Sequence, residues 1–105
     1  METAVLHQPR VAWDTATVLV TAAGADHDSY AWFAAELAAA VGPSCLDDLL
    51  ATREHLLRSE RADARSIEAG KWRVRLEDML RARPDLSASL HQLSLSARVR
   101  LAHTI

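Results

Sequence analysis

The chain of 105 residues has little of what several classes of protein require. It contains a single cysteine, Cys45, which excludes an intramolecular disulfide framework and any zinc site built from several cysteines. No uninterrupted apolar stretch approaches the roughly 18–20 residues of a membrane-spanning helix, and the N-terminus lacks the basic and apolar regions of a secretory signal. We therefore expect a soluble protein that resides in the cytoplasm.

Glycine, proline and aromatic residues are also scarce, because three Gly, three Pro and five aromatics stand beside 20 Ala and 15 Leu. Ala and Leu favour helix over sheet. The length suits one domain with its own core. The composition thus predicts an all-α fold, a small bundle of four or five helices over residues 1–105. We expect frayed ends at 1–9 and 102–105, and the C-terminus could also form a short strand or an extended tail.

Apolar residues recur at helical spacing in four stretches, which predict helices over 30–41, about 45–59, 67–82 and from about 85 to 94 or beyond. Gly42-Pro43 and Arg83-Pro84 provide stop signals after the first and third of these. The predicted core comprises the following residues on the apolar faces: Phe33, Leu37, Leu49, Leu56, Trp72, Leu76, Leu80, Leu86, Leu90 and Leu93.

Two segments fit helix and strand alike. Residues 11–22 combine a β-branched cluster, typical of strands, with apolar residues at helical spacing. Residues 94–101 alternate apolar and polar side chains as a half-buried strand does, but a helix is favoured there because no other strand is predicted for it to pair with. Local polar residues suggest helix N-caps at Asp28 or Ser29, and a capping box from Ser44 to Asp47.

The segment from Leu46 to Leu93 carries a leucine and arginine helix, then KWRVRLEDML at 71–80 and RPDL at 83–86. In these motifs it resembles uncharacterised small Ala/Leu/Arg-rich helical proteins of actinobacteria. The resemblance implies a helical fold, and the Gly-rich tail of some of those proteins implies an interaction or signalling role. Separately, VLVTAAGADHD at 18–28 resembles the first strand and loop of a Toll/interleukin-receptor-type or flavodoxin-like domain, although no further strand and helix alternation follows.

Three groups have side chains that could carry chemistry. Asp26-His27-Asp28 could bind a metal or act as a base, but adjacent side chains rarely converge on one centre, and a polar capping turn is favoured. Cys45 at a helix start could be an activated thiol, yet no base is placed near it, and a partly buried apolar role is favoured. Asp48 and His55 lie seven residues apart, too far to share a metal on one helix. We therefore predict no catalytic residue, no metal and no cofactor.

Charge is distributed unevenly along the chain. Residues 1–52 sum to −6 and residues 53–105 to +4, a dipolar layout suited to self-association or to an acidic partner. We predict a non-enzymatic protein-interaction module of adaptor, regulatory or self-associating type. The alternative is a small helical regulator that binds a small molecule or nucleic acid, although acidic residues interleave with the basic ones. The candidate interface residues are Tyr30, Trp32, Arg73, Arg75, Arg98 and Arg100.

Overall fold

Five α-helices make up most of residues 7–102, the part of the chain that the computed structural model describes. Their bounds are α1 Gln8–Ala23, α2 His27–Val41, α3 Leu46–Arg58, α4 Ala64–Ala82 and α5 Leu86–Ala102, with a 3₁₀ turn at Pro43–Cys45 before α3. The described range contains no strand, so the predicted all-α bundle is confirmed. Within it, no helix has the length and apolar character needed to cross a membrane.

Helix α1 lies at the centre of the bundle and contacts each of the other four helices, α4 and α5 most extensively. It buries side chains around most of its circumference: Val11, Ala12, Thr15, Ala16, Val18, Leu19, Val20, Ala22 and Ala23. Its accessible polar residues, Arg10, Asp14, Thr17 and Thr21, form one narrow stripe at helical spacing, as on a helix that is buried on its other sides. Residues 11–22 were ambiguous in the sequence because their β-branched cluster also fits a strand, and the predicted core omitted them.

The core positions that were predicted on α2 to α5 are confirmed. Nine of the ten are buried, and Leu56 is partly buried against the same cluster. The middle of the cluster is formed by the largest side chains, Trp72 and Phe33, which are 1% and 0% exposed. The predicted helices thus bury the apolar faces that their residue spacing indicated, and these faces pack around α1.

Polar contacts fix the arrangement of the helices around α1. The side-chain amide of Gln8 donates to the carbonyl of Leu80 at 3.3 Å, and Arg65 donates to the hydroxyl of Thr21 at 2.8 Å, so α1 and α4 run antiparallel. Arg53 of α3 donates to the carbonyls of Ala23 at 3.1 Å and Ala25 at 2.8 Å. These carbonyls follow the last turn of α1, where backbone acceptors lack helical partners and a cation is favourable.

Helix α5 continues through the alternating segment to Ala102, as the preference for helix predicted, and no C-terminal strand forms in the described range. Leu90, Leu93, Ala97 and Leu101 recur at helical spacing and are buried. The other apolar members of the alternation, such as Val99 at 64%, are exposed. The expectation of frayed ends falls mostly on residues 1–6 and 103–105, which lie outside the described residues, but Gln8 and Pro9 begin α1 and Ala102 ends α5.

Several predicted helix starts are wrong. Helix α2 is capped by Asp26, whose carboxylate accepts from the backbone N–H of Ser29 at 3.2 Å and from its hydroxyl at 2.7 Å. The capping box from Ser44 does not form, because the 3₁₀ turn leads directly into α3 and its N-cap, Cys45, makes no side-chain cap. The VLV stretch at 18–20 lies inside α1, so the strand implied by the second resemblance is absent there.

Two buried threonines provide a matched test of the core. Thr15 in α1 is 0% exposed and its hydroxyl has no hydrogen-bond partner among the described residues, whereas Thr52 in α3 accepts from the indole N–H of Trp72 at 2.8 Å. We expect Thr15→Val to raise the free energy of unfolding by about 1 kcal/mol, because it removes an unsatisfied polar group. Thr52→Val should lower it by about 1–2 kcal/mol, because it leaves the indole N–H unpaired. Urea unfolding measures both, and equal effects would contradict the assignment.

Candidate functional site

One narrow strip of α1 remains accessible, and it forms the floor of a groove between α4 and α5. Trp13, Thr17 and Thr21 follow one another at four-residue spacing along this strip, and Trp13 is 48% exposed. The hydroxyls of Thr17 and Thr21 donate to the carbonyls four residues earlier, at 2.9 and 3.0 Å. These bonds occupy the threonine donors, so the floor presents mainly methyl groups and the indole of Trp13.

The groove widens at the end of the bundle where α1 and α3 finish and α4 begins. A cavity of about 200 Å³ beside Trp13 and a second of about 640 Å³ near Leu57 and Leu101 share two lining residues, Thr21 and Arg65. The wide end has a mainly apolar wall: Gly24, Ala25, Leu56, Leu57, Ala62, Ala64 and Leu101. We refer to the two connected cavities and the strip of α1 beneath them as the α1 groove.

Arginines border the α1 groove. Arg65 of α4 lines both cavities, and its described partner is the neutral hydroxyl of Thr21 rather than a carboxylate. Arg73 lies eight residues further along α4 and pairs with Glu77 at 3.2 Å. On the α5 side Arg98 reaches Asp14 at 3.1 Å. Arg61 also lines the wide cavity and pairs with Asp63 at 2.9 Å, and Asp14 lies 3.4 Å from Arg10 as well as near Arg98, so that five arginines stand beside three carboxylates.

The structure separates the predicted interface residues into two groups. Arg73 and Arg98 lie near the Trp13 end of the α1 groove without lining its cavities: Arg98 reaches Asp14, the neighbour of Trp13, and Arg73 follows Ala69 of the narrow cavity by one helical turn. The other four are held by intramolecular contacts elsewhere. Trp32 is partly buried against Phe33, with Arg100 at 4.8 Å over its ring, and Tyr30 lies under Arg53 at 4.6 Å. The accessible tryptophan is therefore Trp13, which sequence reasoning did not select. Once residues 8–23 form a helix, the polar stripe of Arg10, Asp14, Thr17 and Thr21 marks the exposed side, and Trp13 lies next to it.

Arg75 belongs to a different feature, a polar cleft of about 260 Å³ between α3 and α4. Its guanidinium lies 4.6 Å over the ring of Trp72 and 3.5 Å from Asp48. Deeper in the cleft, the buried carboxylate of Glu68 accepts from Lys71 at 3.2 Å and lies 2.9 Å from the Nδ1 of His55. Asp48 and His55 both line this cleft, and each pairs with a different residue of α4.

The balance of forces at Glu68 favours its charged form. Burial alone would raise its pKa, but the hydrogen bonds and positive charges of Lys71 and His55 outweigh that effect, so the pKa of Glu68 is lowered. The charged groups in the cleft are paired in the folded protein, Arg75 with Asp48 and Lys71 with Glu68, and His55 also contacts the Glu68 carboxylate. A ligand would have to displace these contacts, so the cleft acts first as the polar link between α3 and α4.

The other chemical candidates have structural roles. Burial raises the pKa of the Cys45 thiol, and its sulfur donates to the backbone carbonyl of Gly42 at 3.4 Å rather than contacting a base. A helix start therefore does not activate this cysteine. In the Asp26-His27-Asp28 turn, Asp26 is the cap of α2, and its pKa is lowered by the hydrogen bond from Ser29. Among residues 7–102 no group of three or more His, Cys, Asp or Glu side chains is arranged to hold a metal ion.

The chain was also compared with known proteins. It matches no protein-family model, no curated protein and no solved structure. The resemblance to small actinobacterial helical proteins therefore stays a prediction.

The lowered pKa of Glu68 predicts how stability depends on pH. A carboxylate with a depressed pKa in the folded state contributes stability above its unfolded pKa and loses it as the pH falls through the folded value. We expect the wild type to lose this contribution as the pH falls from 7 through the ordinary glutamate value of 4.5 and below. Glu68→Gln should be less stable at pH 7 and should show a flatter decline. Urea unfolding at several pH values measures this, with Glu60→Gln at an exposed loop position as the control.

Proposed function

We propose that this chain is a non-enzymatic helical module that binds another protein segment through the α1 groove. One observation carries the proposal: a tryptophan is 48% exposed on a helix whose other faces are buried. Trp and Arg are enriched at the hot spots of protein interfaces, and truncation of a hot-spot residue costs about 2 kcal/mol or more. Trp13 is surrounded by an apolar floor and by arginines, which is the composition of such a site.

The charge of the groove indicates the partner. The arginines in and beside the groove, Arg10, Arg61, Arg65, Arg73 and Arg98, exceed their carboxylate partners Asp14, Asp63 and Glu77. Complementary charge steers association and selects among partners, so the groove favours an acidic segment with apolar side chains. The groove follows a helix axis and is flanked by two further helices, a shape that suits an amphipathic helix. Adaptor, regulatory and self-associating roles all use such a contact.

A second function has one observation in its favour. The cleft between α3 and α4 has the polar side chains of a small-molecule site, among them Asp48, His55, Glu68 and Lys71. Its volume, about 260 Å³, lies just below the common range for ligand pockets. A regulator that binds a small molecule there remains the alternative, and native mass spectrometry of the purified chain would reveal a retained ligand.

Capture of partners by variant chains tests the proposed function. Tagged wild type, Trp13→Ala and Val74→Ala are each used to recover proteins from extract of the cells that express the chain. Val74 is 50% exposed on the outer face of α4, so it controls for loss of an exposed apolar side chain elsewhere. We expect wild type and Val74→Ala to retain a partner that Trp13→Ala binds about 30-fold more weakly, the equivalent of about 2 kcal/mol.

Recovery that is equal for all three chains would contradict the proposal, and so would recovery of nucleic acid alone. Circular dichroism shows whether each variant keeps its helices. The loss in Trp13→Ala is meaningful only if its unfolding midpoint stays close to that of the wild type, which is expected because the side chain is largely outside the core.

A further inference from the structure

A second unpartnered surface lies on the outside of α3. Asp47, Leu50, Glu54 and Leu57 recur at spacings of three, four and three residues, which places them on one helix face. Leu50 is 46% and Leu57 is 61% exposed, values that mark them as outside the core. Asp47 and Glu54 are also exposed, and neither has an ion-pair partner among the described residues. We refer to these four residues as the α3 face.

The α3 face is complementary to the α1 groove in its apolar side chains and in its charge. It offers two exposed leucines to a floor of threonine methyls and the Trp13 indole, and two unpaired carboxylates to bordering arginines. We infer that the occupant of the α1 groove is the α3 face of a second copy of this chain. This inference rests on the proposed function, which it deepens by naming the partner.

The dimensions of the two surfaces agree. With a rise of about 1.5 Å per residue, the α3 face spans about 15 Å from Asp47 to Leu57, and the floor of the groove spans about 16 Å from Trp13 to Gly24. The two carboxylates lie about 10 Å apart along α3, and Arg65 and Arg73 lie about 12 Å apart along α4. Each carboxylate can therefore meet one arginine, whichever way the incoming helix runs.

The charge of the two surfaces only partly follows the uneven distribution of charge along the chain. Asp47 belongs to the acidic half of the sequence, whereas Glu54 belongs to the basic half together with Arg65, Arg73 and Arg98. In the folded chain the α3 face adjoins the wide end of the groove, because Leu57 belongs to the face and also lines that end, whereas Asp47, Leu50 and Glu54 line neither cavity. A contact between copies therefore brings the two carboxylates of one chain to the arginines of another, by the face of one copy entering the groove of the next.

Charge reversal on each surface tests the inference. The groove-reversed variant carries Arg65→Glu and Arg73→Glu, and the face-reversed variant carries Asp47→Arg and Glu54→Arg. The control variant carries Asp28→Arg and Glu36→Arg on α2, which matches the face-reversed one in having a first-turn Asp and a later Glu reversed. Sedimentation velocity at rising protein concentration and low salt measures the mass of each chain as full-length protein.

We expect the wild type and the control variant to exceed the monomer mass as concentration rises, and to do so less in high salt. Each reversed variant alone should associate at least about tenfold more weakly. An equimolar mixture of the two reversed variants should associate again, because the unaltered face of one meets the unaltered groove of the other. The three results together support the inference.

A wild type that stays monomeric over the whole range would overturn the inference, and so would association that neither reversal weakens or a mixture that stays monomeric. The capture experiment tests the proposed function independently of this inference. If the wild type is monomeric and captures a protein that Trp13→Ala does not retain, the groove binds a different acidic partner. If Trp13→Ala captures the same proteins as the wild type, the groove is not an interface.

Discussion

Burial of α1 is the constraint on which the rest of the structure depends. The other four helices all contact it, and α4 and α5, its most extensive neighbours, flank it. Its small side chains, above all Ala12, Ala16 and Ala23, allow close approach, while Leu19 and the valines fill the space between helices. A change in the packing of α1 would therefore disturb all the helix contacts at once, which is why an unsatisfied hydroxyl at Thr15 is notable in this position.

The α1 groove is a consequence of the same arrangement. The four helices that contact α1 leave one strip of it open, where Trp13 and Thr17 are exposed. Along that strip the arginines exceed their acidic partners, whereas in the cleft between α3 and α4 each charge is matched within the molecule. Matched charges hold two helices together, and unmatched charges beside an exposed tryptophan are available to a partner.

The part of the fold that could be predicted from the sequence is the part with a one-sided apolar pattern. Residues such as Phe33, Leu37, Leu76 and Leu90 were assigned to the core because their spacing defines a face. Helix starts were less predictable, since Asp26, Asp28 and Ser29 are all good caps and only the backbone path selects Asp26. Of the candidate site, Arg73 and Arg98 were found by charge, but Trp13 was not, because the β-branched residues of its segment also fitted a strand and the polar stripe beside Trp13 exists only if the segment is a helix.

The sequence by itself determined the helical class, the approximate limits of α2 to α5 and most of the core positions on those four helices, since these follow from local propensity and from periodicity within one segment. The tertiary structure decided that α1 is the central helix, that Trp32 and Arg100 contact each other, and that Trp13 lies open beside Arg65. Such contacts join residues far apart in the chain. Their formation depends on how whole helices pack, and no spacing within a segment records that packing.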